Sequence, residues 1–370
     1  MPLHFRRAVT LAALPVLALT LGTGSAMARP ASGGPPPPKG FEADSASFVS
    51  ATTGYVLGAR RCSQLPCPAR LVKTVDGGAT WKAVPVPAVQ LVPTFSGSPA
   101  SAVSTVRFEN SRTGWLFGPG LWATTDAGQH WRRVSLGGPV VALAASHGRV
   151  FAATTTVDGS LNKARLHEST AGTGTWTLVS GVFPANAITV SGHSVWAGIA
   201  PKLWHSADGG RHWTKLSFRC PSPTVTASAV AAASPEQIAL ACTNDGFPQP
   251  GSSVKKVYRS ANGGTSFRLA SSQPPEPGQV RQLAMPPGHP GMITITAASG
   301  ASYLYRTANG GKSWLTTTYF DGGLDWRDLV FASATTGYLI HFSGGPVLAN
   351  GLGLLKTVNA GRTWQSVTIP

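Results

Sequence analysis

Acidic residues are the scarcest chemical class in this chain. Only 14 of its 370 residues are Asp or Glu, against 30 Lys or Arg, and the formal net charge is +16. So few carboxylates argue against glycoside hydrolysis, which generally uses two of them about 5–9.5 Å apart. The basic surplus favours anionic partners such as cell-wall polymers, acidic glycans or anionic lipid headgroups. No nucleic-acid-binding motif occurs, so we do not expect nucleic acid to bind.

Long apolar runs are also rare. The longest, residues 8–21, is shorter than the ~20 residues of a membrane-spanning helix. It follows Arg6 and Arg7 and precedes "SAMA" at 25–28, so we predict a secretory signal peptide over 1–28, cleaved after Ala28, and export to the cell envelope or beyond. A retained anchor is the alternative. Cleavage would lower the net charge to +14 and leave no transmembrane segment in the mature chain.

Segments with helical periodicity are absent, whereas glycine and proline are abundant, with 43 and 30 residues. "RPASGGPPPPKG", 29–40, predicts an extended, disordered tail. The folded part is expected over 41–370. This composition fits many strands and turns.

One eight-residue stretch, which we call the box, recurs at intervals of 37 to 54 residues. Its copies are "TVDGGATW" (74–81), "TTDAGQHW" (124–131), the decayed "STAGTGTW" (169–176), "SADGGRHW" (206–213), "SANGGTSF" (260–267), "TANGGKSW" (307–314) and "TVNAGRTW" (357–364). A repeat of this period indicates a propeller or a solenoid.

Each repeat also carries strand signals around its box. A strand–turn–strand signature lies upstream, as in "FVSATTGYVLG" (48–58), "FENSRTGWLFG" (108–118) and "FASATTGYLIH" (331–341). A short strand precedes the box and another follows it. Four strands per unit and seven units predict an all-β, seven-bladed propeller in which the box joins the third and fourth strands of each blade. The ring is expected to close by packing blade 7 on blade 1.

The acid or amide of the box is interpreted as a turn device. Asp or Asn can accept hydrogen bonds from following backbone N–H groups, and glycine permits positive φ beside it. Three copies have Asn, which keeps the acceptor oxygen and loses the charge that catalysis or a metal would need. The residues given this structural role are Asp76, Trp81, Asp126, Trp131, Asp208, Trp213, Asn262, Phe267, Asn309, Trp314, Asn359 and Trp364.

The box resembles the Asp-box, or BNR, repeat, with its S-x-D-x-G-x-x-W pattern. Propellers with this repeat include sialidases, some β-glucan hydrolases, sortilin-type receptors and photosystem II assembly factors. The unit "TGWLFGPGLWATTDAGQHW" looks most like the assembly-factor group. That resemblance implies a non-catalytic propeller that binds a partner, either a protein or an anionic envelope polymer. We expect a monomer without a cofactor.

Four cysteines in an exported chain predict two disulfides. Three pairings are possible. We favour Cys62–Cys67 and Cys220–Cys242, because each pair falls within one repeat. The spacings are not C-x-x-C and no His lies at ligand spacing, so no metal site is predicted.

The alternative function is a sialidase-like glycoside hydrolase. Only "FDGGLDWRD", 320–328, clusters acids outside the boxes, and Asp325 and Asp328 would be its carboxyl pair. Sialidase-like enzymes have six blades and a Phe/Tyr-Arg-Ile-Pro segment near their start. This chain has seven units and lacks that segment, so we rank catalysis second.

The binding face is expected to be the one opposite the boxes. Arg281 and Arg327 occupy equivalent positions of neighbouring repeats, each at the start of an innermost strand, and both can point at the centre of the ring. The other ligand-binding candidates are Trp326, Tyr319, Arg60 and Arg61. The competing interpretation pairs these arginines with Asp325, Asp328 or backbone carbonyls. The cations before the boxes, Lys73, Arg259, Arg306 and Lys356, are read as surface residues with hydrated charges.

Overall fold

All regular elements in the described part of the chain are β-strands. The computed structural model describes residues 35–60, 67–92, 99–156, 164–171, 174–182, 187–198, 202–221, 225–244, 253–321, 325–342 and 353–370. Over these residues there is no apolar helix of membrane-spanning length.

The strands form seven antiparallel sheets of four consecutive strands each, which are the blades of a propeller. Blade 1 contains β1 (Phe41–Phe48), β2 (Gly54–Arg60), β3 (Cys67–Thr74) and β4 (Lys82–Val84), with β5 (Gln90–Leu91) also paired to β3. Blade 2 contains β6 (Thr105–Phe108), β7 (Gly114–Phe117), β8 (Leu121–Thr124) and β9 (Arg132–Arg133). Blade 3 contains β10 (Val140–Ser146), β11 (Arg149–Thr154), β12 (Arg165–Thr170) and β13 (Trp176–Val182).

The remaining four blades repeat this order. Blade 4 contains β14 (Ile188–Ser191), β15 (Ser194–Ala197), β16 (Trp204–Ser206) and β17 (Thr214–Lys215). Blade 5 contains β18 (Val225–Ala232), β19 (Ile238–Asn244), β20 (Lys255–Ser260) and β21 (Arg268–Leu269). Blade 6 contains β22 (Gln279–Ala284), β23 (Ile293–Ser299), β24 (Ala301–Thr307) and β25 (Leu315–Asp321). Blade 7 contains β26 (Asp325–Phe331), β27 (Gly337–Phe342), β28 (Gly353–Thr357) and β29 (Gln365–Val367).

The first strand of each blade, here called the inner strand, contacts the inner strands of the neighbouring blades, and β26 of blade 7 contacts β1 of blade 1. The predicted seven-bladed ring is therefore confirmed. Every blade consists of its own consecutive strands, so the ring closes by packing blade 7 on blade 1. At this junction the rings of Phe48 and Tyr338 stack with centroids 3.3 Å apart.

The hydrophobic core is divided into seven clusters, one between each pair of neighbouring blades. Strand β2 shows how the sequence produces this arrangement. Tyr55 and Leu57 pack toward blade 2, whereas Val56 packs toward blade 7. Successive side chains of a strand point to opposite faces of its sheet. A strand covered on both faces is therefore apolar along its whole length.

The box turns follow the predicted hydrogen-bond pattern. In blade 4, Ser206 Oγ donates to Asp208 Oδ1 (2.8 Å) and accepts from the Gly210 N–H (2.8 Å). Asp208 Oδ1 also accepts from the His212 N–H (3.0 Å). The same three bonds occur in the boxes that begin at Thr74, Thr124, Ser260, Thr307 and Thr357.

The fourth residue of these boxes ties each box to the turn between the first and second strands of its own blade. In blade 4 the Gly209 N–H donates to His193 O at 2.8 Å. The equivalent donors are Gly77, Ala127, Gly263, Gly310 and Ala360. The boxes therefore lie on the same side of the ring as the turns between first and second strands, which leaves the starts of the inner strands on the opposite side.

The disulfide between Cys220 and Cys242 is present, with the two Cα atoms 5.9 Å apart. It joins the segment before β18 to β19, as predicted. Cys67 is also disulfide-bonded. Cys62 lies outside the described residues, so the 62–67 pairing stays a prediction. The predicted signal segment also lies outside them. The Pro35 carbonyl, within the predicted tail, accepts from the Ala83 N–H (2.8 Å) and so lies beside β4.

Candidate functional site

Two ion pairs connect the inner strands of blades 7, 1 and 2. Arg327 Nη1 of β26 lies 2.7 Å from Asp44 Oδ1 of β1. Arg107 Nη2 of β6 lies 2.5 Å from Asp328 Oδ1 of β26. We call these four residues the axial cluster. Both carboxyl groups are buried, whereas about a quarter to a third of each arginine side chain is exposed. The cluster therefore exposes part of its arginine side chains to solvent and keeps its carboxylates inside.

β-Bulges bring the charges of this region out of the regular ladder. The inner strand of blade 1 has a bulge between Ala43 and Ser45, and that of blade 7 has one between Arg327 and Val330. Asp328 has a φ of +53°, a conformation that L-residues seldom adopt. Bulges re-aim side chains and occur often near functional sites. Here they place Asp44 and Asp328 beside arginines of other strands.

Polar side chains of the inner strands also bind the backbone of the next blade. Ser45 Oγ accepts from the Val106 N–H (3.0 Å), Gln282 Oε1 from the Leu329 N–H (2.9 Å), and Asp328 Oδ2 from the Ala46 N–H (2.9 Å). Each acceptor stands three residues before the aligned Phe or Met of its repeat. These bonds satisfy edge N–H groups that a closed ring hides from water.

Burial dominates the electrostatics of Asp44. It raises the pKa of this carboxyl to about 6, against the opposing effect of Arg327, and the neighbouring Asp328 raises it further. Asp44 Oδ2 has no hydrogen-bond partner among the described residues. Below about pH 6, Asp44 becomes neutral and no longer balances the charge of Arg327.

The predicted ligand-binding residues do not all meet. Arg281 is exposed on β22, at the bulge between Val280 and Gln282 that matches the one in blade 1. Arg327 is held by Asp44, a partner that the sequence analysis did not propose. Arg281 and Arg327 thus lie on the inner strands of adjacent blades, and Arg327 is already balanced.

The predicted aromatic candidates lie in different environments. Trp326 is 2% exposed, and its Nε1 donates to Ala297 O at 3.0 Å. It packs in the core between blades 6 and 7, so it does not offer a surface to a ligand. Tyr319 is 54% exposed on the outermost strand of blade 6, where its ring lies 5.3 Å from that of Tyr303. It is therefore not part of the axial cluster.

The remaining candidates are only partly described. Arg60 is exposed at the end of β2, whereas Arg61 lies outside the described residues. The side chain of Asp325 also lies outside them. Asp328 is described, and both of its oxygens are occupied, by Arg107 and by the Ala46 N–H. These contacts argue against the arrangement expected for a glycosidase, in which Asp328 would face the substrate.

Two members of the axial cluster, Asp44 and Arg107, were missed by sequence reasoning. A signal was available for Asp44, because it stands four residues before Phe48, as Arg281 and Arg327 stand before their aligned residues. Extending that alignment around the ring places an acid beside the arginine of blade 7. Arg107 stands only one residue before its aligned Phe108. The alignment of the repeats therefore does not place Arg107 with the other three residues.

Three of the four cations before the boxes donate to backbone carbonyls of the next blade, which corrects their interpretation as hydrated surface residues. Lys356 Nζ donates to Gly77 O (2.7 Å), Arg259 Nη1 to Gly310 O (3.4 Å), and Arg306 Nε to Ala360 O (2.6 Å). In each case the acceptor is the fourth box residue of the next blade. Arg306 is only 5% exposed. These cations connect neighbouring blades. Lys73 instead lies over the Tyr55 ring of its own blade, 5.1 Å from the centroid.

No cluster of three or more His, Cys, Asp or Glu side chains with metal-binding geometry occurs among the described residues.

The comparisons with known proteins agree on the fold. No protein-family model matches the chain, and no curated protein matches it either. Similar solved structures include YCF48 bound to D1 peptide, with 17% identity, a TM-score of 0.55, and coverage of 87% of this chain and 94% of that one. YCF48 from Cyanidioschyzon merolae has 16% identity, a TM-score of 0.54, and coverage of 88% and 97%. An ancestral GH74 enzyme has 11% identity, a TM-score of 0.52, and coverage of 89% and 54%.

Proposed function

We propose that this chain is a non-catalytic binding propeller, and that its axial arginines take a carboxylate-rich segment of a partner protein in the cell envelope or outside the cell. The observation that carries the proposal is the difference in exposure between the arginines and the carboxyls of the axial cluster. The side chains of Arg107 and Arg327 are about a third and a quarter exposed, whereas the carboxyls of Asp44 and Asp328 are buried. Arg281 is exposed on the inner strand of the blade next to Arg327.

Arginine suits this role because its planar fork binds both oxygens of a carboxylate. The net charge of +16 adds a long-range attraction for acidic partners, which salt screens. The similarity to YCF48 bound to D1 peptide supports a protein as the partner class. The predicted export signal supports the location.

A hydrolase is the less favoured alternative. Solved enzymes share this fold, so the fold does not distinguish the two classes. What argues against hydrolysis is the engagement of Asp328, whose two oxygens are 2.5 Å from Arg107 Nη2 and 2.9 Å from the Ala46 nitrogen. Aryl sialosides and β-glucosides should give no turnover. Turnover that Asp328→Asn abolishes would make the hydrolase the leading function.

The binding test uses a fluorescein-labelled peptide of eight glutamates, followed by fluorescence anisotropy. Arg281→Ala should weaken binding about tenfold, because a hydrogen bond to a charged group contributes about 1.5–3 kcal/mol. Arg268→Ala is the matched control, since it removes an exposed arginine from the outermost strand of blade 5. Equal losses in the two variants, or no binding by the parent protein, would contradict the proposal.

The pH dependence tests the role of Asp44. Because its pKa is raised to about 6, protonation should release Arg327 and tighten peptide binding between pH 7.5 and pH 5.5. His341 lies near Trp326, but burial lowers its pKa to about 4, so it stays neutral over this range. The Asp44→Asn variant should bind as tightly at pH 7.5 as at pH 5.5. An unchanged pH response in that variant would exclude Asp44 as its source.

A further inference from the structure

A cleft of about 270 Å³ lies between blades 2 and 3, on the side of the ring that carries the boxes. Blade 2 contributes the end of its box, Asp126, His130 and Trp131, followed by Arg132. Blade 3 contributes the altered box with Trp176. The cleft is separate from the axial cluster, which is formed by inner strands of blades 7, 1 and 2.

The decayed box of blade 3 gives the blade a different turn at this place. Ala171 stands where the other boxes have Asp or Asn, so this position lacks the acceptor oxygen that organises the other box turns. Ser169 Oγ instead donates to the carbonyls of Thr175 and Thr170. The hydrogen bond to the turn between the first and second strands comes from the third box residue instead of the fourth: the Ala171 N–H donates to Gly148 O at 2.8 Å.

Elsewhere the fifth box residue is a glycine that packs tightly on the preceding blade. A Cβ built on Gly128 would lie 2.6 Å from Val84 Cγ1, and one on Gly264 would lie 2.7 Å from Leu216 Cδ1. In blade 3 the described glycine of the box is Gly174, the sixth residue. It is next to Arg132, where a Cβ would lie 1.9 Å from Nη2. A cation of blade 2 thus lies beside this turn.

The lining combines indole rings with polar groups, which include one carboxylate and one guanidinium. Trp131 Nε1 donates to Pro85 O (2.9 Å) and Gly128 O (3.0 Å), so the ring is fixed and offers apolar surface. Asp126 Oδ2 binds His130 Nδ1 at 2.6 Å, and this imidazole is 90% exposed. The described lining contains one carboxylate, that of Asp126, and one guanidinium, that of Arg132. Their formal charges cancel, which favours an uncharged ligand.

We propose that this cleft binds a single ring of a neutral saccharide. Aromatic walls with a few placed polar groups are typical of small-molecule sites. A pyranose has an apolar face for an indole and hydroxyls for guanidinium, imidazole and threonine groups, and it carries no charge. The volume of about 270 Å³ is slightly below the lower end of the range for drug-sized ligands, which fits one sugar ring.

The test is titration of the full chain with neutral oligosaccharides, using chitotetraose, cellotetraose and maltotetraose as probes. Binding is followed by tryptophan fluorescence and by isothermal titration calorimetry. At least one probe should bind with a millimolar or tighter Kd, and 0.5 M NaCl should change that Kd less than twofold. Trp176→Ala should weaken binding at least tenfold and Arg132→Ala about fivefold. Arg133→Ala, which removes the neighbouring exposed arginine outside the cleft, should leave the Kd unchanged.

Three results would overturn the proposal. The first is the absence of binding by every probe at 10 mM. The second is binding that Arg132→Ala and Arg133→Ala weaken equally, because the basic surface would then be responsible. The third is binding lost in 0.5 M NaCl, which would indicate an anionic ligand. If Trp176→Ala fails to fold, the comparison of Arg132→Ala with Arg133→Ala still tests the proposal.

Discussion

At the residue scale, two alanines occupy a backbone conformation that suits glycine. The fourth box residue has positive φ in every box where the structure describes that residue. It is glycine in four of them, with φ between +67° and +73°, but Ala127 has a φ of +65° and Ala360 one of +58°. The left-handed conformation costs an L-residue about 1–2 kcal/mol. Both alanines still donate to the first turn of their blade.

We therefore expect Ala360→Gly to stabilise the protein, by up to about 1 kcal/mol, because relief of strain exceeds the entropy that glycine adds to the unfolded chain. The measurement is the urea midpoint of unfolding. Ala79→Gly is the control, since Ala79 is an exposed box residue without positive φ. It should be neutral or slightly destabilising. A loss of stability in Ala360→Gly equal to that of the control would show that the position carries no strain.

At the scale of the element, the box works with either Asp or Asn, but the two differ in their response to acid. Asn262 Nδ2 donates to Ser266 Oγ at 2.9 Å, whereas Asp208 Oδ2 contacts His212 Nδ1 at 2.5 Å. The hydrogen bond from the backbone N–H of His212 is the largest cause that lowers the pKa of Asp208 below its ordinary value. The hydrogen bond from the backbone N–H of His130 lowers the pKa of Asp126 in the same way.

A carboxyl whose pKa is lower in the folded state contributes stability above its unfolded pKa of about 3.9. That contribution is lost as the pH falls toward the folded pKa. We expect Asp208→Asn to lose less stability than the parent protein between pH 5.5 and pH 3, measured as the shift of the urea midpoint. Glu236→Gln removes an exposed acid outside the boxes and should respond to acid as the parent does. If both variants behave alike, the box carboxylate is not the acid-sensitive group.

At the scale of the whole molecule, the junction of blades 7 and 1 must hold the ring closed, because no peptide bond crosses it. Lys356 Nζ donates to Gly77 O (2.7 Å), and Tyr338 Oη donates to Ala51 O (2.9 Å). The Arg327–Asp44 pair crosses the same junction. All three contacts join residues nearly 280 or more positions apart in the sequence.

We expect Lys356→Met to lower the free energy of unfolding by about 1–2 kcal/mol, because it removes a charged donor from a backbone carbonyl at the closing junction. Lys73→Met is the matched control at the same repeat position. Lys73 contacts the Tyr55 ring within its own blade, so its loss should cost less, about 0.5–1 kcal/mol. The free energies are measured by urea unfolding. Equal losses in the two variants would contradict a special role of Lys356 in closing the ring.

What the sequence by itself determined is the part of the structure made within each repeat. The seven boxes, the side-chain to backbone hydrogen bonds of six of them, the four strands per blade and the Cys220–Cys242 pair could all be predicted from residues less than about 55 positions apart. Turn geometry and strand alternation are local properties, so a pattern in one repeat is sufficient to specify them. The division of each β-strand into two faces, as in Val56 and Leu57, follows from the same alternation.

Only the tertiary structure decided which residues meet between blades. Arg327 pairs with Asp44 rather than with a nearby acid, because ring closure brings residues 283 positions apart into contact. Trp326 is buried because blade 6 covers it, and Lys356 and Arg306 are bound because the next box turn reaches them. The cleft between blades 2 and 3 likewise depends on how two blades fit together. Such contacts depend on the packing of one sheet on another, which the pattern of either repeat alone does not encode.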